Sequence, residues 1–376
     1  MKIALLSYST KPRGGVVHTL ALAEALARAG QDVTVWTLGR DGDTGFFRPV
    51  DPQVRVRVVP FPDGGPSEGV GMRILRSIAV LRAAFTPDLY DIVHAQDCIS
   101  ANGVDRCIRT VHHLDQFTTP ELAACHERAI VRPFAHICVS AAVAAEVHAG
   151  WGIRATVIPN GVDFGRFAVA ASATPDAAAA RHCWRGELGR YVLAVGGIEP
   201  RKGSLDLLEA HGLLRADEPG VRLVVAGGET LFDYRDYRAQ WESRAAQLFA
   251  ADPGGMPVVL GPVSHDELPS LVAAASAFCF PSVKEGFGLA AMEALAAGVP
   301  VVTRDLLVLR EVFRDAVSYA SDPPGFAAAL GAVLSGSAAD RAASREAGTA
   351  LAASYTWDAA AQAHLEVYAA HCRQIA

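Results

Sequence analysis

Short, continuous apolar runs alternate along the chain with longer stretches in which apolar residues recur at helical spacing. The first run covers residues 2–7, a helical pattern over 16–29 follows it, and the next apolar run covers 31–38. An apolar run, a glycine-containing loop, a helix and a second run at this spacing predict a βαβ unit with a parallel sheet. The same alternation predicts further strands at 54–60, 91–95, 107–112, 136–140 and 156–159, and helices at 72–85, 120–131 and 141–149.

The alternation is interrupted between residues 163 and 189, where alanine is mixed with serine, threonine and proline, as is typical of a linker. A second series of strands and helices begins at 191. The predicted fold class is α/β, with two Rossmann-like domains whose parallel sheets face each other across a cleft. Ligands are expected at the carboxyl ends of the strands. The predicted organisation is a first domain of 1–165, a linker region of 166–189, a second domain of 190–355 and a C-terminal helix of 356–376 that packs back on the first domain.

Length and composition limit the class of protein. A chain of 376 residues is too long for one ordinary core and fits two domains. The net charge of −6 gives no general reason to expect a nucleic acid or an anionic lipid as partner. The seven cysteines are scattered without a C-x-x-C pair, which indicates buried thiols in a reducing cytoplasm rather than disulfides or zinc. No apolar run approaches the roughly 18 residues of a membrane span.

The segment 281–302 carries the most informative chemistry. It follows an apolar run, turns through two glycines and enters a helical pattern in which Glu293 is the only polar side chain from 289 to 297. A buried carboxylate needs partners, and the N–H groups at a helix N-terminus favour a phosphate. Glu293 and Glu285, which lies in the turn, would flank such an anion site, as a nucleotide sugar requires. The alternative is structural, with Glu285 capping the helix and Glu293 forming an ion pair in the core.

Two other predicted strands of the first domain end in residues that could meet a ligand. Gly14 and Gly15 follow the first strand and leave room for the backbone to approach a ligand, although a tight turn would also need them. They do not form the G-x-G-x-x-G pattern of dinucleotide-binding proteins. His112 and His113 end another strand and point to opposite sides, which is poor geometry for a metal pair. A structural histidine is the alternative there.

Arg201 and Lys202 come just before a predicted helix that starts near Ser204. The helix dipole favours acids at this end, so two cations run against the usual preference. A bound diphosphate would reverse that preference, with the arginine as a fork and the lysine as a point charge. A solvated surface pair is the alternative.

Together these motifs resemble the retaining glycosyltransferases of the GT-B fold, in the large family 4 group. The family hallmark, two glutamates separated by seven residues in the setting P-S-x-x-E-G-F-G-L-x-x-x-E-A-x-A-x-G-x-P-V-V, is nearly complete here over 281–302. The resemblance covers essentially the whole chain in the right order. Its supporting motifs are V-I-P-N-G-V-D at 157–163, Lys202-Gly203, Thr110-Val111-His112 and Gly14-Gly15.

The resemblance implies a function and a set of roles. It implies transfer of a sugar from a nucleoside-diphosphate sugar to an unknown acceptor, with retention by front-side attack and without a metal or other cofactor. Glu293 should bind the ribose hydroxyls, Glu285 and His112 the donor sugar, and Arg201 with Lys202 the diphosphate. The remaining donor-binding residues implied are Gly14, Gly15, the backbone near Val263, and the backbone of Gly286, Phe287, Gly288 and Leu289.

The sequence departs from the family pattern at two places. Gly197 stands where family members often have an arginine, and Leu306-Leu307 stand where they usually have glycines. The acceptor should bind mainly to the first domain, around Gly14 and the segments 63–69 and 113–119.

The alternative functions are a nucleotide-sugar epimerase or phosphorolytic enzyme of the same fold and a non-catalytic nucleotide-sugar-binding protein. We expect a cytoplasmic location, with a peripheral position on the inner membrane face as the alternative.

Overall fold

The computed structural model describes residues 1–62, 64–65, 68–114, 119–228 and 234–372. The chain forms two compact units. The first unit contains Met1–Gly161 and the C-terminal residues from Thr356 onward, and the second contains Val162–Tyr355. Of the two segments expected to meet an acceptor, residues 63, 66, 67 and 115–118 lie outside the described residues.

The first unit is built on a parallel sheet of seven strands in the order β3-β2-β1-β4-β5-β6-β7. Helices follow most of these strands along the chain, as expected for parallel strands joined by crossovers. The strands are β1 (Lys2–Leu6), β2 (Asp32–Gly39), β3 (Arg55–Pro60), β4 (Ile92–Ala95), β5 (Ile108–Val111), β6 (Ala135–Cys138) and β7 (Thr156–Val157). The helices are α1 (Gly14–Arg28), α2 (Val70–Ala84), α3 (Cys98–Asn102), α4 (Pro120–Val131) and α5 (Ala141–Trp151).

The second unit is built on a parallel sheet of six strands in the order β10-β9-β8-β11-β12-β13. Its strands are β8 (Arg190–Val195), β9 (Val221–Ala226), β10 (Val258–Gly261), β11 (Ala277–Phe280), β12 (Val301–Arg304) and β13 (Ser318–Ala320). Its helices are α6 (Phe164–Ala171), α7 (Pro175–Leu188), α8 (Ser204–Leu214), α9 (Arg235–Leu248), α10 (Leu268–Ala274), α11 (Leu289–Ala296), α12 (Leu307–Phe313), α13 (Pro323–Ser335) and α14 (Ala338–Ser354). The last helix of the chain, α15 (Trp357–Cys372), packs on α1 in the first unit.

Burial explains why the strands could be recognised as unbroken apolar runs. All four residues of β11 are buried, as are all four of β5. A strand covered by helices on both faces has no solvent side, so its sequence does not alternate. The predicted fold class, two Rossmann-like α/β units with parallel sheets, is confirmed.

The predicted linker region 166–189 is not a linker in the structure. Helices α6 and α7 occupy it, and both pack on α10 within the second unit. The indole Nε1 of Trp184 donates a hydrogen bond to Ser270 Oγ at 3.0 Å, and Phe167 is fully buried. An alanine-rich composition is compatible with helix as well as with linker, and here the helical propensity of alanine prevails.

Two further findings concern the helices and the cysteines of the described chain. No helix in the described ranges combines the length and the apolar character needed to cross a bilayer. All seven cysteines are free thiols, and four of them, Cys107, Cys125, Cys138 and Cys279, are buried.

Candidate functional site

The site in the second unit is built where the loop after β8 meets the loop after β11. The loop after β8 ends in a 3-10 turn, Pro200–Lys202, and the backbone N–H of Val283 donates to the carbonyl of Arg201 at 2.9 Å. Gly203, which follows this turn, adopts φ +63°, and a Cβ at this position would lie 2.2 Å from the carbonyl oxygen of Pro281. The two loops therefore approach each other as closely as a glycine allows.

This approach brings both predicted cations onto one carboxylate. Oε1 of Glu285 accepts from Nη1 of Arg201 at 3.1 Å and from Nζ of Lys202 at 2.5 Å. The side chain of Glu285 is only 11% exposed, and those of Arg201 and Lys202 are 28% and 20% exposed. Charge-assisted bonds at this degree of burial are stronger than surface ion pairs because solvent screens them less. The three side chains form one ordered cluster.

The neighbours of the cluster fix its position. Nζ of Lys202 lies 5.1 Å from the centre of the Phe280 ring, within the range of a cation–π contact. Nε of Arg304 donates to the Pro281 carbonyl at 2.8 Å, and the same guanidinium also pairs with Asp206. Lys202 is thus held by a ring of β11 as well as by Glu285, and Arg304 of β12 fixes the Pro281 carbonyl next to the loop of the cations.

Helix α11 begins directly beyond this cluster. Gly288 is its N-cap residue, with φ +95°, and a Cβ there would lie 2.9 Å from the ring of Phe313. The first N–H groups of a helix have no acceptor within the helix, and at α11 they belong to Leu289 and the residues after it. Phe287 is buried and its ring packs edge-on against Tyr355 with centres 5.4 Å apart, so only its backbone is available to a ligand.

Glu293 lies on α11, one turn beyond Leu289, and is partly exposed. Burial raises the pKa of its carboxyl to about 7, and the nearby Asp163 acts in the same direction, while Arg166 opposes both. Arg166 lies on α6, and its guanidinium also donates to the carbonyl of His265. A carboxyl with such a pKa takes up or loses its proton near neutral pH, as is common at functional sites.

The raised pKa predicts how the stability of the second unit depends on pH. In the folded chain Glu293 titrates at about 7, above its ordinary value of 4.5. The folded state therefore holds this proton more tightly, and the group stabilises the fold fully below pH 4.5 and progressively less as pH rises through 7. We expect a Glu293-dependent loss of at most about 3 kcal/mol in the free energy of unfolding between pH 5 and pH 8.

Urea unfolding of the wild type and of Glu293→Gln at both pH values measures this loss. The amide cannot titrate, so the variant should lack the Glu293 contribution. Glu187→Gln, an exposed position on α7 of the same unit, should keep the wild-type dependence. Identical pH profiles for the wild type and Glu293→Gln would contradict the assignment.

Val263 follows β10, the strand at one edge of this sheet; it lies in the loop between β10 and α10 and is half-buried. The neighbouring loop after β9 comes close, because a Cβ on Gly228 would lie 2.9 Å from the ring of Pro262. Val263 is therefore at the carboxyl end of a strand, as predicted. Its role toward a ligand stays a prediction.

The first unit contains the other predicted site residues. Gly14 and Gly15 open α1, and a Cβ on Gly15 would lie 3.6 Å from the His112 ring. His18 lies on the same helix, and its ring packs edge-on against that of His112 with centres 4.7 Å apart. Nδ1 of His18 lies 2.8 Å from Oδ1 of Asn160. The ring of His112 thus packs on α1, against Gly15 and His18, and Asn160 of the N-G-V-D motif anchors His18.

Both rings of this pair are neutral at physiological pH. Burial lowers the pKa of His112 well below its usual value, and the charge of Arg109 adds to the effect. Burial and the neighbouring His112 likewise depress the pKa of His18. The buried Nε2 of His112 has no hydrogen-bond partner among the described residues. A neutral imidazole with a free nitrogen can exchange a hydrogen bond with a hydroxyl group of a ligand.

The structure adds residues that the sequence analysis missed. Arg166, Glu199 and His18 have no signal in their local sequence. Arg166 comes close to Glu293 from α6, and His18 packs on His112 from α1, while Glu199 lies in the same loop as Arg201. Oε1 of Glu199 lies 3.8 Å from Nη2 of Arg201 and supplies a second acid beside the cations. Within the described part of the chain, no group of three or more histidine, cysteine or acidic side chains has the arrangement of a metal site.

Comparisons with known proteins bear on this site and fold. Residues 186–349 match the family described as glycosyl transferases group 1, and residues 12–166 match glycosyltransferase family 4. A D-inositol 3-phosphate glycosyltransferase of Geodermatophilus obscurus is 32% identical over 89% of this chain and 82% of its own length. A glycogen synthase of Mycobacterium tuberculosis is 28% identical over 98% of this chain and 95% of its own.

A solved structure extends the likeness to the fold. The crystal structure of HepE from Anabaena in complex with UDP and glucose superimposes with a TM-score of 0.74 at 18% identity, covering 98% of this chain and 99% of HepE. Together the two family matches span both units, and the first relative is aligned over most of both chains. The chain therefore belongs to the group 1 glycosyl transferases of family 4, and it is a glycosyltransferase of the GT-B fold.

Proposed function

We propose that this enzyme transfers a sugar from a nucleoside-diphosphate sugar to an acceptor, with retention of configuration at the anomeric carbon and without a metal ion. The observation that carries the proposal is the convergence of Arg201 and Lys202 on Glu285, directly before the N-terminus of α11. Two cations and a row of backbone N–H groups in one place are suited to a diphosphate.

The Glu285 carboxylate has a definite part in this proposal. Its single negative charge offsets part of the positive charge of Arg201 and Lys202 and holds both side chains in position. A bound diphosphate would share those cations, and the carboxylate would then be available to the hydroxyl groups of the donor sugar. Glu293 in its ionised form would accept hydrogen bonds from the two ribose hydroxyls.

The proposed reaction is a front-side displacement. The bond between the anomeric carbon and the β-phosphate oxygen breaks as the acceptor oxygen bonds to the same face of the sugar. The acceptor's proton passes to the departing phosphate oxygen, so no protein base is required. Negative charge grows on the diphosphate during this step, and Arg201, Lys202 and the α11 amides would stabilise it. His112 would hydrogen-bond the donor sugar, and Gly14 and Gly15, in the first turn of α1, would leave room for the donor.

Metal independence follows from this charge balance. Enzymes that use a divalent ion for a diphosphate employ it to neutralise the developing charge. Here two cationic side chains and a helix N-terminus perform that task. We therefore expect that chelation will leave the activity unchanged.

The identities of the donor and of the acceptor are supported by different observations. HepE was crystallised with UDP and glucose, so UDP-glucose is the first donor to test. The names of the relatives differ in acceptor, since one is a D-inositol 3-phosphate glycosyltransferase and another a glycogen synthase. The cytoplasmic location inferred from the cysteines stays a prediction.

A thermal-shift panel of UDP, GDP, ADP and their glucose conjugates tests donor binding, because a ligand that prefers the folded state raises the melting temperature. We expect one nucleotide to stabilise the wild type and its sugar conjugate to be hydrolysed slowly without an acceptor. Glu293→Ala should lower the affinity for that nucleotide by about 10-fold or more, since two hydrogen bonds to a charged group are lost.

Glu187→Ala, exposed on α7, is the matched control and should bind nucleotide like the wild type. Stabilisation without turnover across many acceptors would favour the non-catalytic binding protein. Appearance of an epimeric nucleotide sugar would favour the epimerase. Absence of any nucleotide effect would contradict the proposal as a whole.

A further inference from the structure

Four arginines gather at the carboxyl ends of β1, β2 and β3 in the first unit. Arg13 precedes α1, Arg40 follows β2, and Arg73 and Arg76 lie on the first turns of α2. Two aromatic rings, those of Tyr8 and Phe61, lie among them. We call these four arginines with the two rings the arginine patch.

Contacts with the two rings bring the guanidinium groups of Arg13, Arg40 and Arg76 together, and Arg73 follows on the same helix as Arg76. Nη1 of Arg13 donates to the Tyr8 hydroxyl at 3.0 Å, and Cζ of Arg40 lies 6.0 Å from the centre of the same ring. Arg40 and Arg76 both lie over the Phe61 ring, with Cζ at 4.6 and 4.0 Å from its centre. Nη2 of Arg40 donates to Ser77 Oγ at 2.7 Å, and that hydroxyl in turn donates to the carbonyl of Arg73.

The described acids near the patch already have partners. Glu68 pairs with Arg76 through both oxygens, at 2.7 and 2.8 Å. Asp43 pairs with Lys11 at 3.0 Å, and Asp97 accepts the backbone N–H groups of Tyr8 and Ser100. No carboxylate among the described side chains pairs with Arg13, Arg40 or Arg73.

The crowding of positive charge in the patch affects Arg40. Its Nε is buried and has no hydrogen-bond partner in the described part of the chain. Burial lowers the pKa of its guanidinium, and the charges of Arg73, Arg13 and Arg76 lower it further, although the Tyr8 hydroxyl opposes them. Like charges held together with fewer counter-charges destabilise a fold, and the described side chains offer one carboxylate pair, Glu68 with Arg76, to these arginines. A bound anion would relieve the remaining repulsion.

We propose that the arginine patch binds a phosphate group carried by the acceptor. This inference rests on the proposed function, because it concerns the second substrate of the same reaction. Arginine forks match phosphate oxygens in pairs, and a phosphate monoester carries nearly two charges, which suits several guanidinium groups better than one carboxylate does. The donor diphosphate has its own cations, Arg201 and Lys202, in the second unit.

Paired acceptors test the inference with UDP-glucose, or with whichever donor the thermal-shift panel selects. Inositol phosphate is compared with inositol, glucose 6-phosphate with glucose, and glycerol 3-phosphate with glycerol, and release of the nucleoside diphosphate is measured. We expect kcat/KM for the phosphorylated member of at least one pair to exceed that of its partner by about 10-fold or more.

Substitutions within the arginine patch test whether the patch causes the preference for a phosphorylated acceptor. Arg40→Gln and Arg73→Gln should each lower kcat/KM for the phosphorylated acceptor by about 10- to 100-fold, the loss expected for a hydrogen bond to a charged group. The melting-temperature shift given by UDP reports folding and donor binding in both variants and should be retained. Arg57→Gln, an exposed arginine on β3 in the same unit, should keep the wild-type preference.

Inorganic phosphate provides a readout that needs no acceptor. With UDP saturating the donor site, phosphate should raise the melting temperature of the wild type and of Arg57→Gln but not that of Arg40→Gln. Equal use of both members of every pair, or an unchanged phosphate effect in Arg40→Gln, would overturn the inference while UDP binding leaves the proposed function standing. Loss of all UDP binding would instead overturn the proposed function.

Discussion

Replacing Lys202 with methionine is expected to lower the turnover number of sugar transfer by about 10²- to 10³-fold. Methionine keeps the length and much of the volume of the side chain but removes its charge. Nζ of Lys202 is held at 2.5 Å from Glu285 and 5.1 Å from the centre of the Phe280 ring, so its charge is in a fixed place before substrate arrives. A fixed charge stabilises the departing diphosphate without the reorganisation that solvent would require.

The effect should fall on turnover more than on binding. The diphosphate of the bound donor is already charged, but its bridging oxygen gains further charge only as the bond to the sugar breaks. We therefore expect the melting-temperature shift given by UDP to fall modestly while kcat falls by orders of magnitude. Steady-state release of UDP measures the second quantity.

Lys2→Met removes the same charge from an exposed position on β1 and should keep wild-type turnover. A turnover number for Lys202→Met within about threefold of the wild type would contradict electrostatic stabilisation at this position, because such stabilisation is worth several kcal/mol. Retained binding of UDP by the variant would show that it is folded.

The order of strands and helices could be predicted because each buried parallel strand has a sequence without a solvent side. Helix α4 begins and ends where the pattern predicts, at Pro120 and Val131, because a proline marks its first turn and apolar residues recur on one face. The segment 166–189 was wrongly predicted to be a linker for the converse reason. Its helices bury few large side chains, among them Phe167 and Leu188, so their periodicity is weak and alanine dominates the composition.

Single residues at strand ends could be predicted, but their partners could not. Arg201 and Glu285 are 84 positions apart, and nothing in either local sequence shows that both cations meet one oxygen of that carboxylate. The acids were expected to flank an anion site, and the structure adds that Glu285 contacts both cations. Such pairings depend on two loops from neighbouring strands of the folded sheet.

The N-G-V-D motif gives a similar lesson. Its composition indicates a turn, and the structure adds what each residue contacts. Asn160 is buried against His18, while a Cβ on Gly161 would lie 2.3 Å from the backbone nitrogen of Trp357. Asp163 caps α6 and also raises the pKa of Glu293. Residues 160 and 161 thus contact α1 and α15 in the first unit, and Asp163 lies near Glu293 of α11 in the second unit.

Gly203→Ala is expected to destabilise the second unit by about 3 kcal/mol or more. The residue adopts φ +63°, a left-handed conformation that costs an alanine about 1–2 kcal/mol by itself. The added Cβ would also lie 2.2 Å from the carbonyl oxygen of Pro281, and a backbone atom cannot move aside as a side chain can. The loop that carries Arg201 and Lys202 must then separate from the loop that carries Glu285.

Gly212→Ala is the matched control, because Gly212 lies inside α8 and a Cβ there would make an ordinary contact of 3.7 Å with Leu248. Alanine should stabilise that helix by about 0.5–1 kcal/mol. Urea unfolding followed by circular dichroism should therefore move the midpoint in opposite directions for the two variants. If the midpoints of both variants rise, the close approach of the two loops is not a constraint on the fold, and the geometry assigned to the cation cluster loses its basis.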